Sequence, residues 1–317
     1  MSSINWFPGH MFKAQKEMLS SMPGVSVIIE VLDARIPFSS ENPLVSKLRG
    51  DKPCIKVLNK RDLADPIRTA EWVRHLEKDK YVRALPLNSK DSREMDDLKR
   101  LVSSHMPLVT GKKVPTAMII GIPNVGKSTL INCLAGKIIC KTGNVPAVTK
   151  AQQFIRVSPS LHLLDTPGIL WPKLDPLECA YRLAITGAIK DTAFDYNTIG
   201  PFACRFLLRD YCQMLADTYS EKITSELDPD MLLELIATRR GCYVKGGMLD
   251  TAKALEVMIR DLRKGTLGKI TLETPEMIKI EDGEAGKLEG VKGMAGRLER
   301  KRLKKNPDRE TLLYTTG

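Results

Sequence analysis

Runs of apolar, β-branched residues recur along this chain at Val25–Val31, Cys54–Leu58, Val82–Leu87, Thr116–Ile120, Phe154–Val157 and Leu161–Leu164. Helix-like segments such as Ala70–Lys78 and Lys127–Leu134 separate most of them. This alternation predicts an α/β layer fold around a six-stranded, mainly parallel sheet, because parallel neighbours need a crossover between them. The last two runs are joined only by Ser158-Pro159-Ser160, a link that suits an antiparallel hairpin.

After Gly168 the pattern becomes helical and punctuated. Asp175-Pro176 reads as an N-cap with proline at the first helical position, and Gly187 as the matching stop. Asp228-Pro229 opens a helix that ends at Arg239-Arg240-Gly241, and another runs from about Asp250 to Lys264 before Gly265. In the latter, Leu255, Ile259 and Leu262 share one face while Lys253, Arg260 and Lys264 share the opposite one. The chain therefore divides into an α/β domain over residues 1–190, a small all-α domain over 191–275, and a basic, flexible tail over 276–317 that is rich in Gly and Lys. No internal repeat is evident.

The 317 residues suffice for two domains with a substantial core, and 43% hydrophobic content is that of a folded chain. The net charge of +11 favours an anionic partner, nucleic acid first, over a charge excess that serves solubility alone. Seven cysteines (54, 133, 140, 179, 204, 212 and 242) form no CxxC pair and read as reduced thiols, mostly small core residues. No run approaches a membrane span, and residues 1–10 lack the cationic start and apolar run of a signal peptide.

Candidate chemistry begins with Gly121-Ile122-Pro123-Asn124-Val125-Gly126-Lys127-Ser128, a GxxxxGK[ST] sequence between a predicted strand and a predicted helix. In that context glycines let backbone N–H groups curl around phosphate, and the helix N-terminus adds partial positive charge. Val125, Gly126 and Thr129 would line the phosphates, Lys127 would reach the β- and γ-phosphates, and Ser128 would ligate Mg²⁺. Asp165-Thr166-Pro167-Gly168 ends the last predicted strand; Asp165 would hold Mg²⁺ through its water shell and the Gly168 N–H would meet the γ-phosphate. Thr149, in the polar stretch between these elements, is the candidate switch threonine that closes on Mg²⁺.

Asn59-Lys60-Arg61-Asp62 follows an earlier strand. The Asp62 carboxylate can accept two hydrogen bonds from the guanine N1–H and N2–H₂ edge, a donor pair that adenine lacks. Asn59 would bridge loop and base, the Lys60 stem would cover the ring, and Ser89-Lys90 would offer a backbone N–H to the guanine carbonyl. These are the parts of a GTPase, with the base-recognition half ahead of the phosphate-binding half.

In this order the elements resemble the circularly permuted GTPases, specifically the ribosome biogenesis GTPase A family of bacterial YlqF-like proteins and their mitochondrial relatives. Trp6-Phe7-Pro8-Gly9-His10-Met11, Asp33-Ala34-Arg35-Ile36-Pro37, Gly168–Lys173, Leu183–Ile189, Gly246-Gly247 and Asp261–Gly265 extend the likeness over about residues 4–275. It implies a GTP-hydrolysing assembly factor for the large ribosomal subunit, with a helical domain that contacts rRNA. Ala147 stands where the family commonly has Gly, which puts the path of that loop in question; no family role extends to the tail.

In the permuted order residues 165–175, which sense hydrolysis, run directly into the helical domain. The expected device is a switch that binds a late large-subunit precursor in the GTP state and lets go on hydrolysis. Ile169 occupies the place where many regulatory GTPases carry the glutamine that orients water, so catalysis must come from elsewhere. The resemblance offers His10, otherwise a helix-start residue after the Pro8-Gly9 turn. It also offers Asn124, which in related GTPases holds K⁺ and is otherwise a turn asparagine.

For RNA, the candidates are Arg239, Arg240, Lys245, Lys253, Arg260, Arg263 and Lys264, against the alternative of a solvated helix face. Arg297–Lys305 carries basic residues at 297, 300, 301, 302, 304 and 305 against Glu299, a salt-sensitive electrostatic arm. Aromatic content of 5% favours phosphate and shape recognition over a stacking platform. The non-enzymatic alternative is an RNA-binding scaffold that holds GTP or GDP as a structural ligand. A third is a GTPase acting on another RNA or on a membrane-bound partner, the latter disfavoured because no amphipathic lipid-binding segment is present. The expected protein is a monomer, without membrane contact. A bacterial cytoplasm is the favoured setting, with the mitochondrial matrix as the alternative, because the family-like opening begins almost at residue 1.

Overall fold

The computed structural model describes residues 16–106, 114–140, 152–159, 161–168, 170 and 176–281. His10, Thr149, Ala147, Ile169 and the 297–305 run lie outside them. Strands β1 (Val27–Asp33), β2 (Cys54–Asn59), β3 (Val82–Pro86), β4 (Thr116–Gly121), β5 (Gln153–Ser158) and β6 (Leu161–Asp165) form one sheet in the order β3-β2-β1-β4-β6-β5. All neighbours are parallel except β5 and β6, the antiparallel hairpin expected from their short link. Strand order reverses between β1 and β4, which opens a crevice at the carboxyl ends of those strands.

Central strand β1 is buried along its whole length, as parallel strands covered on both faces are. Helices α1 (Pro43–Leu48), α2 (Pro66–Leu76) and α3 (Ser92–His105) follow β1, β2 and β3 in turn, and α4 (Lys127–Ala135) follows β4. The starts of α1, α2 and α3 are capped by the side chains of Asn42, Asp65 and Asp91, which accept backbone N–H groups that have no intrahelical partner.

Helix α5 (Leu177–Ile185) comes after β6, and the helical part comprises α6 (Tyr196–Thr218), α7 (Pro229–Arg240) and α8 (Thr251–Lys264). Pro176 is the N-cap of α5, one position later than the Asp175 cap the sequence suggested, and Thr186 is its C-cap. Asp228 caps α7 and Gly241 ends it; Gly265 ends α8, whose Leu255, Ile259 and Leu262 are buried as expected. The longest helical stretch, α6, carries Pro201 near its start and breaks at Tyr211 (φ −137°, ψ 29°), where two helices meet at a kink, so a periodicity reading does not show it as a unit.

The chain up to Pro275 is one compact unit, and residues 276–281 belong to a second. Within the first, an extended segment after α8 returns to the sheet. Ile270 N–H donates to Leu63 O (3.0 Å) and Leu272 N–H to Arg35 O (2.8 Å). The Thr271 N–H donates to the Tyr211 hydroxyl (3.0 Å), and Trp72 Nε1 donates to Glu273 O (3.0 Å). The Glu273 carboxylate, fully buried, accepts the N–H groups of Phe38 and Ser39 and faces Arg182 at 3.7 Å. Trp72 is fully buried at this strap. Trp72→Phe, which leaves the Glu273 carbonyl unpaired, should lower unfolding free energy by roughly 1–3 kcal/mol. Trp72→Ala should cost about 3–5 kcal/mol. Urea unfolding of both variants checks the ranking.

One charge is buried inside the sheet layer away from the crevice. Glu30 of β1 accepts the Asn42 N–H (2.9 Å) and lies 3.6 Å from Lys56 Nζ of β2, its register partner. With Glu41, Arg49, Cys54 and His75 it lines a cavity of about 300 Å³. Burial raises the Glu30 carboxyl to about 7, with Lys56 opposing the rise. The folded state then holds a proton that the unfolded chain releases near 4.5, so stability falls as pH climbs from about 4.5 to 7. Glu30→Gln should flatten that part of the stability–pH curve by up to roughly 3 kcal/mol, read from denaturant midpoints at pH 5 and 7.5.

Candidate functional site

The loops after β1, β2, β3, β4 and β6 meet at the carboxyl ends of the strands. The loop after β4 turns through Asn124 (φ 58°) and Gly126 (φ 99°) and enters α4 at Lys127, so the α4 N-terminus points its N–H groups toward the turn. The buried Asn59 side chain joins the halves. Its Nδ2 donates to Val125 O (2.7 Å), and its Oδ1 accepts the Ser89 N–H (3.0 Å). A Cβ on Gly126 would collide with Asn59 Nδ2, so glycine here satisfies both a left-handed backbone and a close approach. Asn59, expected to bridge loop and base, here links the β4 loop, the β2 strand end and the β3 loop.

Lys127 and Asp165 are buried, with Nζ 2.5 Å from Oδ1. Gly168 lies against the β4 loop, where an added Cβ would stand 3.0 Å from Pro123 N. Ser128 and Thr129 are half-buried in the first turn of α4. The structure brings Asn124, Val125, Gly126, Lys127, Ser128, Thr129, Asp165 and Gly168 together at the carboxyl ends of β4 and β6. Ser128 and Asp165 supply hard oxygen donors. Among the described residues no group of three or more His, Cys, Asp or Glu gathers as a metal site. That set fits Mg²⁺, which keeps waters and nucleotide phosphates in its shell, better than an ion caged by protein.

Asp62 and Lys90 are exposed at the rim, where a base edge can reach them. Lys60 (φ 60°) directs its ammonium to Asp33 Oδ2 at 2.9 Å. Asp33 also takes Arg35 Nε (2.9 Å) and Nη2 (2.7 Å). Burial opposes charge on Asp33, but Arg35 and Lys60 overturn it and hold the carboxyl well below the usual carboxylate range. Burial lowers the Lys60 ammonium's pKa, and Asp33 offsets that only in part. The sequence reading assigned no role to Asp33 or Arg35; the available signal was a charged Asp-x-Arg directly at a buried strand end.

A second group missed by the sequence reading is a row of carbonyls where α5 ends. Asn124 Nδ2 donates to Gly187 O (2.9 Å), and Arg35 Nη2 donates to Thr186 O (3.2 Å). Arg263 of α8 donates from Nε to Ile185 O (2.9 Å) and from Nη2 to Ala184 O (2.8 Å), and pairs with Asp191. Arg263, a candidate RNA contact, is therefore engaged inside the protein. Arg240 reaches Asp261 at 2.7 Å and lies over the Tyr219 ring. Arg239, Lys245, Lys253, Arg260 and Lys264 are exposed, Lys253 paired with Glu256.

Residues 116–193 match the family model described as a 50S ribosome-binding GTPase. "Ribosome biogenesis GTPase A" of Bacillus cereus is 41% identical over 298 residues, spanning 91% of this chain and 99% of that protein. The chain belongs to the ribosome biogenesis GTPase A family. It is a GTPase, and its nucleotide is a guanine nucleotide. "Mitochondrial ribosome-associated GTPase 1" of mouse is 34% identical, covering 84% of this chain and 89% of its own. The crystal structure of GNP-bound YlqF from Thermotoga maritima superposes with a TM-score of 0.60 at 27% identity, over 84% of this chain and 99% of that one. All seven cysteines are free thiols. No helix among the described residues is long and apolar enough to cross a membrane.

Gly126→Ala should weaken GTP binding by about tenfold or more, because the new methyl displaces the Asn59 carboxamide that ties base and phosphate loops. Gly136→Ala, also at left-handed φ (66°) but facing open space, should lower stability and leave GTP affinity unchanged. Titration with a fluorescent GTP analogue separates the two.

Proposed function

We propose that this chain is a GTP-driven assembly factor that binds a precursor of the large ribosomal subunit in its GTP state and leaves after hydrolysis. The observation that carries the reading is the shared grip on residues 184–187: the phosphate loop holds Gly187 O through Asn124, and the helical part holds Ala184 O and Ile185 O through Arg263. A helix that comes after Asp165–Gly168 in sequence is thus held from both sides. A γ-phosphate that rearranges the first end must either move the second or break its hydrogen bonds. The names of the relatives support the ribosome as the place of action.

In this reading Asp62, Asn59, Lys60, Ser89 and Lys90 select guanine. Lys127 and the α4 N-terminus bind phosphates, and Thr149 and Gly168 sense the γ-phosphate. Bound between Ser128 and Asp165, Mg²⁺ would offset phosphate charge. Asn124 presents a side-chain carbonyl suited to K⁺, and His10 is the remaining candidate to position water. Asp33 fixes the Lys60 ammonium, a positioning role. The GTPase part extends to about residue 190 and the helical part to about 275, the latter meeting rRNA through Arg239, Lys245, Lys253, Arg260 and Lys264. We read the protein as a monomer of the bacterial cytoplasm, with the mitochondrial matrix as the alternative setting.

GTP turnover in potassium buffer, alone and with large ribosomal subunits, tests the reading: low basal turnover should rise strongly with subunits. Tight subunit binding without stimulation would instead favour a scaffold that carries nucleotide. Arg263→Ala should keep GTP affinity while erasing a GTP-versus-GDP difference in subunit affinity of about tenfold or more. Retention of that difference overturns the coupling route.

A further inference from the structure

Between α7 and α8 the chain forms a small hairpin that the nucleotide site does not use. Tyr243 and Leu249 bridge as antiparallel partners, and Val244 N–H donates to Met248 O at 3.0 Å. The Gly247 N–H closes the tip turn on Val244 O at 3.2 Å. Gly246 (φ 97°) and Gly247 (φ 81°) supply the left-handed backbone that this tight tip demands.

The base of the hairpin is anchored. Cys242 is buried and donates its N–H to Ala237 O (2.9 Å), and the Asp250 N–H donates to Cys242 O (2.9 Å). Arg240 fixes the end of α7 to Asp261 and Tyr219. The tip is the opposite. Tyr243 is 53% exposed, Val244 42% and Met248 68%. Strand alternation puts Val244 and Met248 on one face of the ribbon and Tyr243 on the other, so both faces of a narrow projection are apolar. Large side chains in water on a pre-ordered turn are a contact surface rather than a core.

Charge selects the occupant. From Arg239 to Leu249 there is no carboxylate, and Asp250 beyond it caps α8; Arg240 is paired with Asp261, which leaves Arg239 and Lys245 as the exposed basic groups. An acidic, base-bearing polymer fits such a cationic rim around an apolar, two-faced tip. We propose that the 243–249 hairpin is a wedge for RNA: Tyr243 and Met248 enter an unpaired or bulged site and pack on exposed bases, while Lys245 and Arg239 hold the adjacent phosphates. This rests on the RNA-binding reading of the helical part and refines it, from phosphate recognition on duplex to base contact at an interruption. The low overall aromatic content is no obstacle, because one aromatic ring at a rigid tip suffices for one stack.

The test uses the full chain and two fluorescein-labelled RNAs of equal length and charge, one a continuous duplex and one carrying a three-base bulge. The wild type should prefer the bulged RNA. Tyr243→Ala and Met248→Ala should each weaken bulged-RNA binding by about fivefold or more. Neither should change duplex binding or the slope of log K against log salt. Tyr243→Phe should retain the preference, and melting temperatures should match wild type because these side chains are exposed. Lys245→Ala should weaken both RNAs and reduce the salt slope by about one. Equal affinity for the two RNAs with a silent Tyr243→Ala overturns the wedge and leaves phosphate binding standing. Failure of the wild type to bind either RNA overturns the RNA reading itself. A photo-crosslinker at position 243 that captures protein and no RNA in large ribosomal subunits overturns the wedge in favour of a protein partner.

Discussion

The end of helix α5 is the constraint around which this protein is organised. Any helix leaves its last carbonyls without intrahelical donors, and buried carbonyls must find partners. Here Ala184 and Ile185 are fully buried, and the adjoining turn runs through Gly187 at φ 81°. Part of the demand is met locally, as the Ala188 N–H donates to Leu183 O and the Gly187 N–H to Ala184 O. The rest is met from three distant places: Asn124 in the phosphate loop, Arg35 after β1 and Arg263 on α8. The chemistry of one helix terminus thereby connects nucleotide, sheet and helical part.

The permuted order gives this arrangement its consequence. The loops after β1 and β2 arrive early in the chain and are held from behind by the returning segment 270–273, through Arg35 and Leu63, with Trp72 of α2 donating to Glu273 O. The phosphate-binding loops arrive later and lead straight into α5. The helical part therefore touches the loops after β1 and β2 through the strap, and the carbonyls that end α5 through Arg263.

Several of these links are buried charges. Asp33 with Arg35, and Glu273 with Arg182, lie where water is excluded, and the partly exposed Lys60 closes on Asp33 from outside. Such groups contribute less to net stability than their Coulomb energies suggest, because desolvation offsets the attraction. Their value lies in geometry. A carboxylate that receives backbone N–H groups of Phe38 and Ser39 fixes the loop after β1 in one place, and a bidentate Arg35–Asp33 pair fixes the ammonium of Lys60. Loss of one partner is costly because it strands the other.

The linear sequence determined most features that local rules govern. Period and punctuation placed the six strands, the antiparallel hairpin, the helix starts at Asp228 and about Asp250, and the stops Gly241 and Gly265, because these depend on neighbours in the chain. Of its candidate residues, Asn59, Lys127, Asp165 and Gly168 come close together in the structure, since each stands at a strand end or beside a turn of recognisable chemistry. The sequence did not reveal the α6 stretch, because Pro201 and the break at Tyr211 interrupt the periodic pattern. Nor did it separate Arg263 from Lys264, or Arg240 from Arg239. Adjacent basic residues look alike in a sequence, and whether a guanidinium meets solvent or a buried carbonyl depends on elements far away in the chain. The exposed apolar tip at Tyr243 and Met248 belongs to the same class: nothing in the linear order marks these side chains, and the hairpin that carries them leaves them in water.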